Sequence, residues 1–341
     1  MKNWKQFWQV KQNRKLTLVF AAAVLFLIAA ILINFCLGAA KLSFADVFDA
    51  MKNGVTGVAG RIFWYARFPR TIACLLAGAA LAVSGAVIQN VLTNKLASPS
   101  IIGVNAGAGL AVTICLATGS MSGWMIAGAS FAGAMTAVLL VAVVSRKIGA
   151  SRTTVILGGV AVNSCLNAAS EAITILVPEV GIQAGDFRVG GFSSVVYTRL
   201  IPAGVLIVVG LIVLFTLCNE LDVMSLGEDT AQGLGLPVKK MRTIFLVLAA
   251  LLAGASVSFA GLLGFVGLIV PHAGRKLVSS DSRMLLPFCA IGGAAFATFC
   301  DLVARTLFAP YEIPVGILMS FIGGPFFLFL LASRRGGHGH D

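Results

Sequence analysis

Charge is what this sequence has least of. Only 11% of its 341 residues are Asp, Glu, Lys or Arg, against roughly 25% in a soluble domain. A chain so poor in charge, with a mean hydropathy of +0.97, cannot hydrate a globular surface, and its composition excludes a soluble protein. Nor does any ten-residue alternating pattern run through it, which argues against a membrane β-barrel and leaves an all-α polytopic membrane protein. No C-x-x-C occurs among Cys36, Cys74, Cys115, Cys165, Cys218, Cys289 and Cys300. They lie mostly inside apolar runs and read as small buried residues. No G-x-x-x-x-G-K-[ST] loop is present, so the chain has no recognised ATP site of its own. No Ser/His/Asp or Cys/His arrangement and no metal-ligand cluster stands out: neither a catalytic group nor a metal or other cofactor is expected on this chain. No basic run interleaved with aromatics suggests nucleic acid.

What is present is a series of apolar runs, each near the roughly 20 residues needed to cross hydrocarbon. Ten are read, near 16–38, 71–92, 100–118, 122–145, 153–176, 200–218, 242–261, 264–279, 285–306 and 314–332. The first is too long for a signal-peptide core and reads as a retained helix. This divides the chain into an N-terminal segment 1–15, a membrane domain 16–333 with a polar inner loop at 219–241, and a tail 334–341. With the N-terminus placed inside, seventeen of the 25 Lys and Arg residues fall on the inner side and eight on the outer. That bias places both termini in the cytoplasm. The 38 glycines, many within the apolar runs, allow close helix approach, Gly103 and Gly107 as a G-x-x-x-G among them.

Three outer arginines, Arg67, Arg70 and Arg305, run against the charge bias. They read either as interfacial anchors beside Trp64 and Tyr65 or as a docking surface for an acidic partner, because a guanidinium fork suits carboxylates. Asp301 and Arg305, at i and i+4, form a candidate local ion pair. Residues 42–51 set Leu42, Phe44, Val47, Phe48 and Met51 largely on one face of a short interfacial helix. Asn163, Asn167 and Glu171 share a face of the fifth span. Such a stripe faces protein or water, as interhelical hydrogen bonds or as a pathway lining. His272 reads as structural, and His338 and His340 as weak metal candidates. The polar stretch 219–242 is either a solvated loop or a docking surface for a cytoplasmic partner.

Several motifs then recur together. RFPR, GAALAVSGAVIQNVLTNKLASPSIIGVNAGAG, GLLGFVGLIVPHAGR, DSRMLLP, DLVAR and EIPVGILMSFIGGPFFLFLL resemble, in the same order, the FecCD-type permease subunits of ABC importers for iron-siderophores, haem or cobalamin. The resemblance spans about residues 40–333. It implies a ten-helix type II importer permease in a bacterial cytoplasmic membrane, paired with a second permease copy, commonly as a homodimer. It implies two cytoplasmic ATPase subunits, which carry the ATP and Mg, and an outer substrate-binding protein. Arg67, Arg70 and Arg305 match that protein's docking positions. The coupling region matches Ser225, Leu226, Gly227, Glu228, Asp229, Gln232, Gly233, Leu234, Gly235 and Leu236, and the cytoplasmic gate matches Ser151, Thr153 and Thr154. The chain departs from the family at Asn94-Lys95-Leu96-Ala97, where proline is usual at the second position. It departs again in GDFRVGGFSS, which lacks a common tryptophan.

Overall fold

The computed structural model describes residues 2–38, 42–119, 122–148 and 151–335. Lys41 and the tail with His338 and His340 lie outside them. The described chain is helical throughout, without a strand. In chain order the helices are α1 (Lys2–Cys36), α2 (Phe44–Asn53), α3 (Gly57–Ile62), α4 (Phe68–Val91), α5 (Val104–Ala117), α6 (Gly123–Ile148), α7 (Arg152–Leu176) and α8 (Pro178–Val189). They continue as α9 (Tyr197–Thr216), α10 (Cys218–Ser225), α11 (Glu228–Gly233), α12 (Val238–Ala260), α13 (Val266–Leu277), α14 (Ser282–Thr306) and α15 (Val315–Arg335). A π-helical turn, Phe63–Arg67, joins α3 to α4, and a 3-10 turn, Pro99–Ile102, precedes α5.

Among the described residues, seven helical stretches are long and apolar enough to cross a membrane: 14–36, 57–91, 123–148, 152–176, 197–216, 238–260 and 282–306. The remaining three expected spans fall on α5 (14 residues), α13 (12 residues) and α15, whose apolar part is Val315–Phe329. At 1.5 Å per residue, α5 and α13 reach only about 20 Å, short of the roughly 30 Å hydrocarbon core. Both are shortened at their starts. Gly103, in the left-handed region at φ +99°, opens α5, and Phe265, at φ +64°, opens α13 after the extended segment 261–264. The non-helical backbone there is sealed internally. Gly191 N–H donates to the Ala260 carbonyl (2.8 Å), Leu262 N–H to that of Phe187 (2.9 Å), and Gly316 N–H to that of Gly190 (3.2 Å). Irregular backbone inside a membrane bundle requires such partners.

The α3–α4 stretch is central, with 78% of its apolar window buried, whereas α1 is peripheral at 6%. Close approach explains the glycines. A methyl on Gly78 (α4) or Gly293 (α14) would run into the other helix's backbone, and Gly107 (α5) and Gly133 (α6) meet likewise. Gly103 faces Ala137 of α6, so the G-x-x-x-G packs against one neighbour. In α2, Ser43 and Asp46 form a reciprocal capping box. Its expected apolar face divides: Val47 turns inward, while Phe44, Phe48 and Met51 stay exposed.

Helix α1 is continuous from Lys2, and its membrane-length part begins at Arg14. The stretch between the fifth and sixth expected spans contains a further helix, α8, started by Pro178 at its first turn.

Candidate functional site

At the N-terminal end of α4 the three arginines come together around Asp301, which is fully buried. Arg70 reaches it from α4 with one edge of its fork, Nε 3.0 Å and Nη2 2.9 Å from Oδ1. The Nη1 of Arg70 turns the other way, 2.8 Å from Glu312 in the α14–α15 connection. Arg305 lies 3.7 Å from Asp301, so the i, i+4 pair exists, but Arg70 is the closer partner. Arg305 Nη2 donates to the Asn34 carbonyl (2.6 Å), and Arg67 donates to the Leu37 carbonyl. The Asn34 carbonyl belongs to the last turn of α1 and Leu37 directly follows it, a place where arginine satisfies open acceptors and complements the helix dipole. Asn34 itself is buried and lies 3.0 Å from the Thr71 hydroxyl. Arg67 and Arg305 are only 6% and 2% exposed. Arg70 has a donor, Nη1, aimed at a half-exposed group, Glu312.

A cavity of about 380 Å³ opens beside this cluster, with Arg70, Glu312, Arg199 and Asp186 on its walls. Asp301 is held by two arginines and Asn34. It is therefore not a free carboxylate of the kind an ion-coupled carrier uses at mid-membrane.

Arg70 and Gln89 are nineteen residues apart on one helix, about 28 Å along its axis. At that second end Arg275 (α13) donates to Gln89 and, at 2.9 Å, to Asn90. Asn90 Nδ2 lies 3.2 Å from the Ser282 hydroxyl. Ser282, at the start of α14, donates its N–H (3.0 Å) and hydroxyl (2.5 Å) to Asp222 of α10. Burial pushes the Asp222 carboxyl above the usual carboxylate range, against the Ser282 hydrogen bonds, which pull it down. Arg283 donates to Asn219 (2.7 Å), while Arg152, opening α7, donates to Thr93 (2.6 Å) and the Met224 carbonyl (3.1 Å). Helix α10 is thus fastened to α14 and α7.

Beyond it, Ser225, Leu226, Asp229, Gln232, Gly233, Leu234 and Gly235 are exposed, and Gly227, Glu228 and Leu236 half-buried. Leu226 and Leu234 are 60% and 63% exposed, uncovered apolar groups in an otherwise polar stretch. Glu228 and Arg242 pair at 2.9 Å and hold α11 against α12. Arg70, Asp301 and Arg305 thus share one end of the bundle, and the expected coupling residues share the other.

On α7 the polar stripe separates. Asn163 turns inward, donating to the Ser100 (2.8 Å) and Ile101 (3.2 Å) carbonyls of the 3-10 turn. Asn167 and Glu171 remain exposed. Ser151 is the α7 N-cap and accepts from Thr154 N–H (3.1 Å); Thr153 is exposed. The family's missing proline is replaced locally: Asn94 Oδ1 accepts the Leu96 N–H at 3.0 Å and closes the turn. His272 packs edge-on against Phe326.

Sequence reading missed Asn34, Thr71, Gln89, Asn90, Asp222, Ser282 and Glu312 as members of these networks. For Asn34, Gln89 and Asn90 a signal was available, since polar side chains inside apolar runs need partners.

A polar cluster at each end of a glycine-packed apolar bundle is the architecture of a polytopic membrane protein. The chain belongs to the FecCD transport family, whose model matches residues 26–333, and is a permease subunit of an ABC importer. It is 35% identical over 324 residues to the Fe(3+)-citrate import permease YfmD of Bacillus subtilis, covering 93% of this chain and 95% of that one. It is 33% identical over 341 residues to the vitamin B12 import permease BtuC of Citrobacter koseri, covering 98% and 100%. A solved structure described as an inward-facing metal-chelate-type ABC transporter superposes with a TM-score of 0.83 at 28% identity, covering 92% of this chain and 99% of that one.

Proposed function

We propose that two copies of this chain form the translocation pathway of a ferric-siderophore importer in a bacterial cytoplasmic membrane. The chain crosses ten times, with both termini and α10–α11 in the cytoplasm. ATP binding, with Mg, closes two partner ATPase subunits, and their movement pulls α10–α11. The pair then alternates between outward-open and inward-open. A binding protein delivers cargo to the outer face through acidic side chains that meet the Arg67, Arg70 and Arg305 cluster. Asn163, Asn167 and Glu171 line the pathway, and Ser151, Thr153 and Thr154 sit at its cytoplasmic gate.

The observation that carries this reading is the exposed Leu226 and Leu234, which cap the C-terminal ends of α10 and α11, short helices fastened to the bundle by Asp222, Asn219 and Arg152 and by the Glu228–Arg242 pair. Such a surface suits a partner that pushes. The lack of a phosphate loop in the sequence supports assigning ATP to that partner. Affinity purification in mild detergent with mass spectrometry tests the assembly: a stoichiometric ATPase and a binding protein are expected. Uptake by the reconstituted complex, compared for ferric siderophore, haem and cobalamin, tests the cargo. A chain that purifies and transports alone would overturn the ATP-driven reading.

A further inference from the structure

Arg70 is held from behind and occupied in front. Its Nε and Nη2 are locked onto buried Asp301, which fixes the plane of the guanidinium. The remaining edge, Nη1, points to the outside and is filled by Glu312, whose side chain is 33% exposed. A carboxylate from another protein that used Arg70 would need that same edge. Glu312 sits in the short connection between α14 and α15, beside Leu307, Phe308 and Tyr311, which are 59%, 56% and 79% exposed. Exposed aromatic and aliphatic groups around a charged centre have the make-up of a protein interface.

We propose that Glu312 is an internal stand-in for the partner's carboxylate, and that the binding protein docks by exchanging one of its acidic side chains for Glu312 on Arg70. This rests on the docking reading above. Three arginines face two carboxylates in the cluster, so it already carries excess positive charge. Release of Glu312 from Arg70 increases that excess where an acidic lobe approaches, which speeds encounter. Arg67 and Arg305, only 6% and 2% exposed, contribute through the field they generate. The exchange costs little on this side, since a partly exposed ion pair contributes little to stability. It gives the docked and free states different positions of the α14–α15 connection.

The test measures affinity of the detergent-purified complex for the binding protein recovered with it. Glu312→Gln keeps the side chain's shape and removes the competing charge. It is expected to bind about two- to fivefold more tightly, the scale of one exposed ion pair, with an unchanged melting temperature. Arg70→Gln is expected to bind at least tenfold more weakly, and Arg70→Lys, which keeps charge but loses the fork, falls between. Raised salt should weaken binding to Glu312→Gln more steeply than to the wild type. If Arg70→Gln weakens binding while Glu312→Gln weakens it or leaves it unchanged, exchange is overturned and docking stands. If none of the arginine variants changes the affinity, or the complex captures no binding protein, docking fails and exchange fails with it.

Discussion

Removing Asp301 is the most discriminating perturbation the structure offers. The carboxylate is fully buried and is the charge partner of two arginines on two helices. In Asp301→Ala, Arg70 keeps Glu312, but Arg305, 2% exposed, keeps only the Asn34 carbonyl. Its Nε already makes no hydrogen bond and has Asp301, 3.7 Å away, as its compensating charge. Leaving one member of a buried pair uncompensated costs about 3–5 kcal/mol. By contrast, Glu312→Gln breaks the half-exposed pair and costs at most about 1 kcal/mol. Melting of the two variants in the same detergent, followed by size-exclusion chromatography after heating, compares them directly. Asp301→Ala should lose most of its monodisperse peak at temperatures where Glu312→Gln keeps it. Neutralising the stranded cation separates charge from packing: Asp301→Asn with Arg305→Gln should recover at least half of the loss, a coupling that independent sites do not show. An Asp301→Ala protein as heat-stable as Glu312→Gln, or a double variant no better than Asp301→Asn, would refute the buried-charge argument.

Other expectations follow from the remaining contacts. Gly78→Val sets a branched side chain against the Gly293 backbone, which has no side chain to move aside. It should destabilise by more than the about 1–3 kcal/mol of ordinary overpacking, read as lost expression and early melting. Leu226→Asp with Leu234→Asp alters only exposed groups. Melting should not change, while co-purified ATPase falls about tenfold or more, the scale of an interface hot spot. For Asp222, whose folded pKa is raised chiefly by burial, the native state binds its proton more readily than the unfolded chain. Stability should therefore fall as pH rises from about 4 through that raised pKa. Melting curves against pH should show this slope in the wild type and a flatter one in Asp222→Asn. Glu171→Gln should leave ATP-driven uptake intact, because Asp301 is already neutralised by arginine and no carboxylate is needed to carry an ion.

The long spans were legible because each needs only a run of apolar residues, a local property. Helices α5 and α13 were blurred because their boundaries are set by Gly103 and Phe265 in left-handed conformations and by hydrogen bonds from distant segments, which no local pattern encodes. The extra helix α8 was hidden because its twelve residues carry no one-sided apolar pattern. At the site, the arginines were found by their place against the charge bias. Their partners were not: Asn34 reaches Asp301 across 267 positions and Glu312 reaches Arg70 across 242. Pairing at that separation is decided by tertiary packing. The polar stripe on α7 shows the same limit from the other direction. Its i, i+4 spacing was read correctly, yet Asn163 serves the 3-10 turn while Asn167 and Glu171 stay exposed, because the surface each faces depends on neighbours.

The two polar clusters bear on each other through the helices they share. Both tie α4 to α14: Arg70 with Asp301 at one end, Asn90 with Ser282 at the other. Between them Gly78 and Gly293 bring the two backbones into contact. A helix pair fixed at both ends and packed without side chains in the middle has little freedom to shear, so it moves as one body. Helix α10 is attached to that body through Asp222 and Asn219, and to α7 through Arg152. Any displacement of α10 larger than the slack of these hydrogen bonds must carry the start of α14 with it or break them. Breaking them leaves Asp222 and the Ser282 N–H and Arg152 donors that they pair unsatisfied at the edge of the bundle, the costly outcome for partly buried polar groups. The cheaper response to a push on α10 is rigid movement of α4 and α14 together, with the arginine cluster carried along at their far end.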